Sequence, residues 1–201
     1  VTKSSRQSGR VGRRPSSSRD TIAAVAIELF AERGFDAVSI DDIADAAGIA
    51  RRTFFRYFSS KNAVPWGDFD DRLIDFRNAL ARAPISVPTG EAIVAGIVEF
   101  NRLPADEVDI HRRRMDLILN TPALQAHSAL MYRGWRYEVA SFVAYRGDTS
   151  PTGFHARRAG WAALAASMTA YEQWLEEPDS DLSELLELAG RMGMTGLEVY
   201  V

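Results

Sequence analysis

Residues 39–61 read SIDDIADAAGIARRTFFRYFSSK. Ile40, Ile43, Ala44 and Ala47 fall on one side of a short helix, Gly48 breaks it, and a second segment follows. There Ile49, Phe54 and Phe58 can turn inward while Arg51, Arg52, Thr53, Arg56 and Tyr57 turn out. Ser39 with Asp42 three residues later reads as a capping box, and Gly48 supplies the positive φ that lets the chain turn sharply. The small Ala44 and Ala47 allow the two helices to approach closely. A plain helical hairpin would explain the spacing but leaves three outward arginines on one short helix without a role. A helix-turn-helix, whose second helix enters a DNA major groove, accounts for both.

Outward from this stretch, the chain is preceded by an amphipathic segment ending ELFAERGFDAV and followed by a long helical pattern. Over the first third of the chain this resembles the DNA-binding domain of TetR-family repressors. The run FFRYFSSKNAVPWGDFD, residues 54–70, is similar to the actinobacterial TetR-type regulators found beside mycofactocin biosynthesis genes. The resemblance implies that Arg51 and Arg52 face base edges and that Ser39, Thr53, Tyr57 and Lys61 touch phosphate. Arg56 and Phe55 complete the candidate DNA-binding set, although Phe55 stands where tyrosine is more usual. Ala50 likewise replaces the usual capping serine or threonine, so the second helix should start less firmly.

The 201 residues suffice for a small domain plus a larger one, and 46% apolar residues is a globular composition. Absence of cysteine removes disulfides and thiolate chemistry and fits a reducing cytosol, so a cytoplasmic location is expected. No apolar run approaches the ~20 residues needed to span a membrane. Of 24 basic residues, six (Lys3, Arg6, Arg10, Arg13, Arg14, Arg19) precede residue 20 with no acid among them. The remainder therefore carries 18 basic against 27 acidic residues. A basic arm on an acidic body is a nucleic-acid layout. Residues 1–16 are expected to be a disordered arm whose Arg13 and Arg14 reach phosphate or a minor groove, or else a solvated leader. The arm has no apolar core of a secretory signal, and too few aliphatic residues for a transit peptide.

The expected class is all-α, about nine helices. Ser17 and Asp20 read as a cap for the first helix, whose Ile22, Val25, Ala26, Leu29 and Phe30 form a buried stripe ended by Gly34. Residues 17–62 are the helix-turn-helix domain and 63–201 the second domain. Helix four is expected from about 61 to 83, joining the two, with Lys61 unfavourable at its start unless phosphate engages it. Beyond the linker PISVPT, further helices read as 91–102, 105–120, 122–146, 153–177 and 182–200, punctuated by Leu103-Pro104, Thr121-Pro122, GDTSPTG and EPDSD.

In the second domain most large apolar residues must be core. By analogy with TetR-type regulators, a subset should line a cavity for a small apolar effector between helices five and eight. The candidates are Ile97, Phe100, Met115, Leu119, Trp135, Phe142, Trp161 and Met168, with Phe142 and Trp161 foremost. The narrower resemblance implies a fatty acyl-coenzyme A. His111, Arg112, Arg113 and Arg114 lie in a row, so at most two serve one site. A salt-bridged helix face is the stronger reading for them, a pocket mouth gripping phosphate or carboxylate the other. Small residues on helix eight (Gly160, Ala163, Ala166, Ser167, Ala170) and leucines on helix nine point to a homodimer through these two helices. Gly190, Gly193 and Gly196 there call for close packing or an early stop.

No HExxH, phosphate loop or GxSxG occurs, so no catalytic residue, metal ligand or cofactor is assigned. A ligand-binding or scaffold module without DNA binding is the main rival, and a dispersed all-α enzyme the lesser one. The expectation is a ligand-released dimeric repressor on a palindromic operator.

Overall fold

The computed structural model describes residues 18–194. Among them lie nine α-helices and no strand: α1 (Ser18–Arg33), α2 (Ile40–Ala46), α3 (Arg51–Tyr57), α4 (Phe69–Ala81), α5 (Thr89–Phe100), α6 (Val108–Asn120), α7 (Pro122–Arg146), α8 (Phe154–Glu176) and α9 (Leu182–Met194). The basic arm with Arg13 and Arg14, the expected cap Ser17, and Gly196 lie outside the described residues.

Local signals shape the hairpin as read. The Ser39 hydroxyl accepts the Asp42 amide at 3.1 Å, and the Asp42 carboxylate accepts the Ser39 amide at 2.8 Å, closing the capping box. Hydrogen bonds from Ser39 hold the Asp42 carboxyl below its ordinary pKa. Gly48 takes φ +65, a conformation that a side chain would strain. Buried Ile27, Phe30, Ile43, Phe54 and Phe58 form the small core, and Leu117 of α6 and Leu124 of α7 reach into it.

Helix four differs from expectation. Residues Lys61–Trp66 form a 3-10 turn, Gly67 turns at φ +49, and only then does α4 begin. Pro65 removes a helical donor and Gly67 readily adopts the left-handed region, so a continuous helix cannot form. Within the larger core, Phe76 stacks on Trp135 with centroids 5.3 Å apart and planes 6° apart. The Arg77 guanidinium grips the buried Glu138 carboxylate through two bonds of 2.7 and 2.6 Å, tying α4 to α7.

The small residues of α8 pack inside the subunit instead of facing a partner. A Cβ on Gly160 would lie 2.7 Å from the Arg136 carbonyl oxygen of α7, and one on Gly193 would lie 3.3 Å from Ala166. A Cβ on Gly190 would lie 3.0 Å from the Val94 side chain of α5. Close packing therefore explains both described glycines of α9. The exposed face of α8 carries Phe154, Trp161 and Ala165, beside exposed Leu188 and Met192 on α9.

Candidate nucleic-acid interface and ligand cavity

The first site is the outer face of α3. Phe54 is fully buried and anchors the helix, which leaves Arg51, Arg52, Phe55 and Arg56 exposed and Thr53 and Tyr57 half-buried. Ala50 caps the helix with backbone alone, since no side-chain bond is made there. The two arginines proposed to read bases differ. Arg51 Nη1 lies 2.7 Å from both Asp41 carboxylate oxygens of α2, whereas Arg52 makes no hydrogen bond or ion pair among the described residues. Arg51 also stacks over Phe55, which is 46% exposed. Arg56 folds over the Tyr57 ring and donates to its hydroxyl at 3.1 Å.

Lys61 has a structural reason for its place. Its ammonium donates to the Phe35 and Val38 carbonyls at 2.7 and 2.9 Å and sits over the Phe35 ring, so it clasps the chain between α1 and α2. Charge-assisted bonds to two carbonyls offset the unfavourable helix dipole that the sequence reading answered with phosphate alone.

The second site is a cavity of about 60 Å³ that opens to the surface. Four expected residues line it: Phe100, Met115, Trp135 and Met168. Ile97 and Leu119 are core instead, and both leading candidates are displaced. Phe142 lies two turns of α7 beyond Trp135, buried in the core under the Arg146 guanidinium. Trp161 shares the exposed face of α8, 58% accessible, with Arg136 stacked 3.4 Å over its ring centre. Size and a mid-helix position did not tell which side of the helix faces empty space.

Polar lining was largely missed. Of the row 111–114, only Arg113 forms the expected salt bridge, with Glu28; Arg112 stacks on Trp174 and donates to the Trp174 and Pro178 carbonyls, and His111 and Arg114 turn to the cavity. Their i, i+3 spacing was the available signal. Tyr171 donates to Asn101 Oδ1 at 2.6 Å and so accepts from His111 Nε2 at 2.9 Å, which leaves His111 Nδ1 a buried acceptor without a donor. Burial, with the Arg114 and Arg72 charges, pushes the His111 pKa down to about 3, so the ring is neutral. Burial raises Tyr132 to about 12. Trp66 Nε1, Tyr132 Oη and Arg114 Nε are likewise buried without partners among the described residues.

One 3-10 turn joins the two sites. Its Pro65 and Trp66 line the cavity, while Val64 and Lys61 are built into the hairpin. Such an assembly of a helix-turn-helix on a helical body with a lined cavity is that of a one-component transcriptional regulator.

Comparison with known proteins agrees. The family model for bacterial regulatory proteins of the tetR family matches residues 22–64, and that for the MftR C-terminal domain matches residues 87–198. The chain is 46% identical, over 94% of its length and 96% of the relative's, to a Mycobacterium tuberculosis protein described as a candidate mycofactocin biosynthesis transcriptional regulator, MftR. The chain therefore belongs to the TetR family of transcriptional regulators. Among solved structures, Thermus thermophilus FadR, a TetR-family repressor in complex with lauroyl-CoA, matches with TM-score 0.55 and 24% identity over 89% of this chain and 94% of that one. Bacillus halodurans FadR, a fatty acid degradation regulator, matches with TM-score 0.64 and 16% identity over 92% and 98%. At these identities the likeness speaks to fold alone.

Proposed function

We propose that the protein is a ligand-released repressor that binds a palindromic operator as a homodimer in the cytoplasm. The observation that carries this reading is the 3-10 turn Lys61–Trp66, whose one end walls the cavity and whose other end clasps the hairpin. A ligand pressing on Trp66 moves Lys61, and with it the carbonyls of Phe35 and Val38. The bound state then disfavours the hairpin spacing that DNA requires, a shift limited by the ligand's differential affinity for the two states. Residues 17–62 act as the DNA reader and 63–201 as the effector and dimerisation unit. Arg51 and Arg52 read bases; Ser39, Thr53, Tyr57 and the third N–H of Lys61 hold phosphate; Phe55 and Arg56 flank them, with the arm's Arg13 and Arg14 beside the groove. Dimerisation uses the exposed apolar face of α8 and α9.

The effector has an apolar body, for which a fatty acyl-coenzyme A is the candidate. The aromatic and methionine walls suit an acyl chain, each buried methylene contributing ~0.8 kcal/mol, and the FadR neighbour supports the class by analogy. Selection from a random double-stranded DNA pool should return an inverted repeat with half-site centres ~34–36 Å apart. Acyl-coenzyme A thioesters of increasing length should then release that DNA at falling concentrations. Recovery of only unrepeated sequences would overturn the dimeric reading. Release by a sugar-like compound and by no thioester would overturn the effector class.

A further inference from the structure

The cavity does not end in apolar wall. Arg72 of α4 and Arg114 of α6, together with Phe100 and His111, line both it and a neighbouring open cleft between α1, α4, α5 and α6. These two guanidiniums therefore stand where cavity meets cleft. Arg72 spends one nitrogen on the Phe100 carbonyl and lies 4.8 Å over that ring. Arg114 spends none: among the described residues no carboxylate pairs with it, and its Nε is buried without an acceptor. Asp68, Asp20 and Glu107 attract it only from a distance, and burial with the like charge of Arg72 lowers its pKa. Two further donors lining the same cavity, Trp66 Nε1 and Tyr132 Oη, are buried and unpaired. Buried donors are ordinarily satisfied, and a half-buried guanidinium with a buried, unpaired Nε beside a second guanidinium calls for an anion.

We infer that Arg114, backed by Arg72, is an oxyanion-binding subsite at the mouth of the cavity, and that the effector is an amphiphile whose apolar chain fills the cavity while its anionic group sits on these guanidiniums. The inference rests on the effector reading above and adds the head-group chemistry. A compact anion fits best, because Asp68, Asp71 and Asp75 line the cleft outside in excess over Arg82, Glu99 being paired with Arg102, and repel an extended one. A carboxylate of a free acid and a phosphate of a coenzyme thioester share this chemistry, and the experiment separates them.

Binding of decanoate, decanoyl-coenzyme A and neutral methyl decanoate to the full chain can be followed by the fluorescence of Trp66 and Trp135, which line the cavity. In the wild type at least one anionic probe should bind about tenfold or more tightly than the methyl ester. In Arg114→Gln the ratio of anionic-probe to methyl ester affinity should fall to about one, and the probe that loses most identifies the source of the anion. Equal wild-type binding of all three would overturn the subsite, as would an Arg114→Gln protein that keeps its preference. The wild-type comparison stands even if the variant fails to fold. Failure of every probe to bind would overturn the effector reading itself, an outcome distinct from binding without head-group preference.

Discussion

The hairpin and the cavity are built by opposite logic. In the hairpin, function lies in what points outward, and short-range signals fix that: a cap three residues from its partner, one glycine at positive φ, one buried Phe54 that sets the rotation of α3. In the cavity, function lies in what is left unfilled and unpaired. That depends on how five helices and the 3-10 turn, far apart in the chain, fail to close completely, and no local pattern encodes it. The hairpin can therefore be broken at a single residue, whereas the cavity should change its capacity before it loses its fold.

The largest expected effect tests this directly. Phe54→Ala removes a fully buried ring that contacts Phe55 and Phe58 and should cost about 3–5 kcal/mol, seen as an early unfolding transition with loss of all DNA binding. A variant that unfolds like the wild type would show that α3 is not held by this ring.

Next in size are the two arginines proposed to read bases, which the sequence treats as equals and the structure does not. Arg52→Ala should lose about 1–3 kcal/mol of base discrimination. Arg51→Ala should lose less, because in the free protein its guanidinium must first leave Asp41. Competition assays with single-base operator variants measure both. Equal losses would mean that Asp41 does not compete with DNA.

What the sequence made legible follows the same division. The capping box, the Gly48 turn, the inward Phe54 and the uncapped Ala50 are nearest-neighbour facts and were readable. The 3-10 turn and the break at Gly67 were missed because a proline is tolerated in a first turn, and residue type alone does not tell that Gly67 takes a positive φ. Phe142 and Trp161 were misplaced because helical period gives a face but not what the face meets. The small residues of α8 were read as a subunit seam, yet the same residue types serve any close helix crossing, and here α7 and α9 fill that role. Arg72, Trp66 and Tyr132 carried no sequence signal as a set, since they come from α4, the 3-10 turn and α7.

A pH experiment sharpens the cavity side of the comparison. His111 is neutral in the fold, with its pKa held near 3 by burial, while the unfolded chain takes the proton near 6.5. Its contribution is thus complete above pH 6.5 and is lost as pH falls from there towards 3, by up to about 1.4 kcal/mol per pH unit. His111→Asn lacks this term, so the stability gap between wild type and variant should narrow across that window in urea unfolding. Carboxylates titrate in both proteins and cancel in the difference. A gap independent of pH would mean that His111 is reached by solvent protons without unfolding.

The smallest effect is expected at Ala50, where sequence and structure agree that something is lacking. As N-cap of α3 it has φ −73 and ψ 147, the extended backbone that a capping side chain needs, but it offers no oxygen to the free amides of the first turn. Ala50→Ser supplies one without changing the backbone, and should stabilise the protein by ~0.5–1 kcal/mol. In a chain of this size that corresponds to a rise in melting temperature of about 1–4 °C. Because α3 also carries the contact face, a firmer first turn should hold Arg52 and Thr53 in place and raise affinity for every operator variant by the same factor, leaving discrimination unchanged. A change in base preference would show instead that the position of Ala50 touches DNA. No gain in stability would show that the amides of the first turn are already satisfied by water, and that the start of α3 is held by the packing of Phe54 and not by a cap.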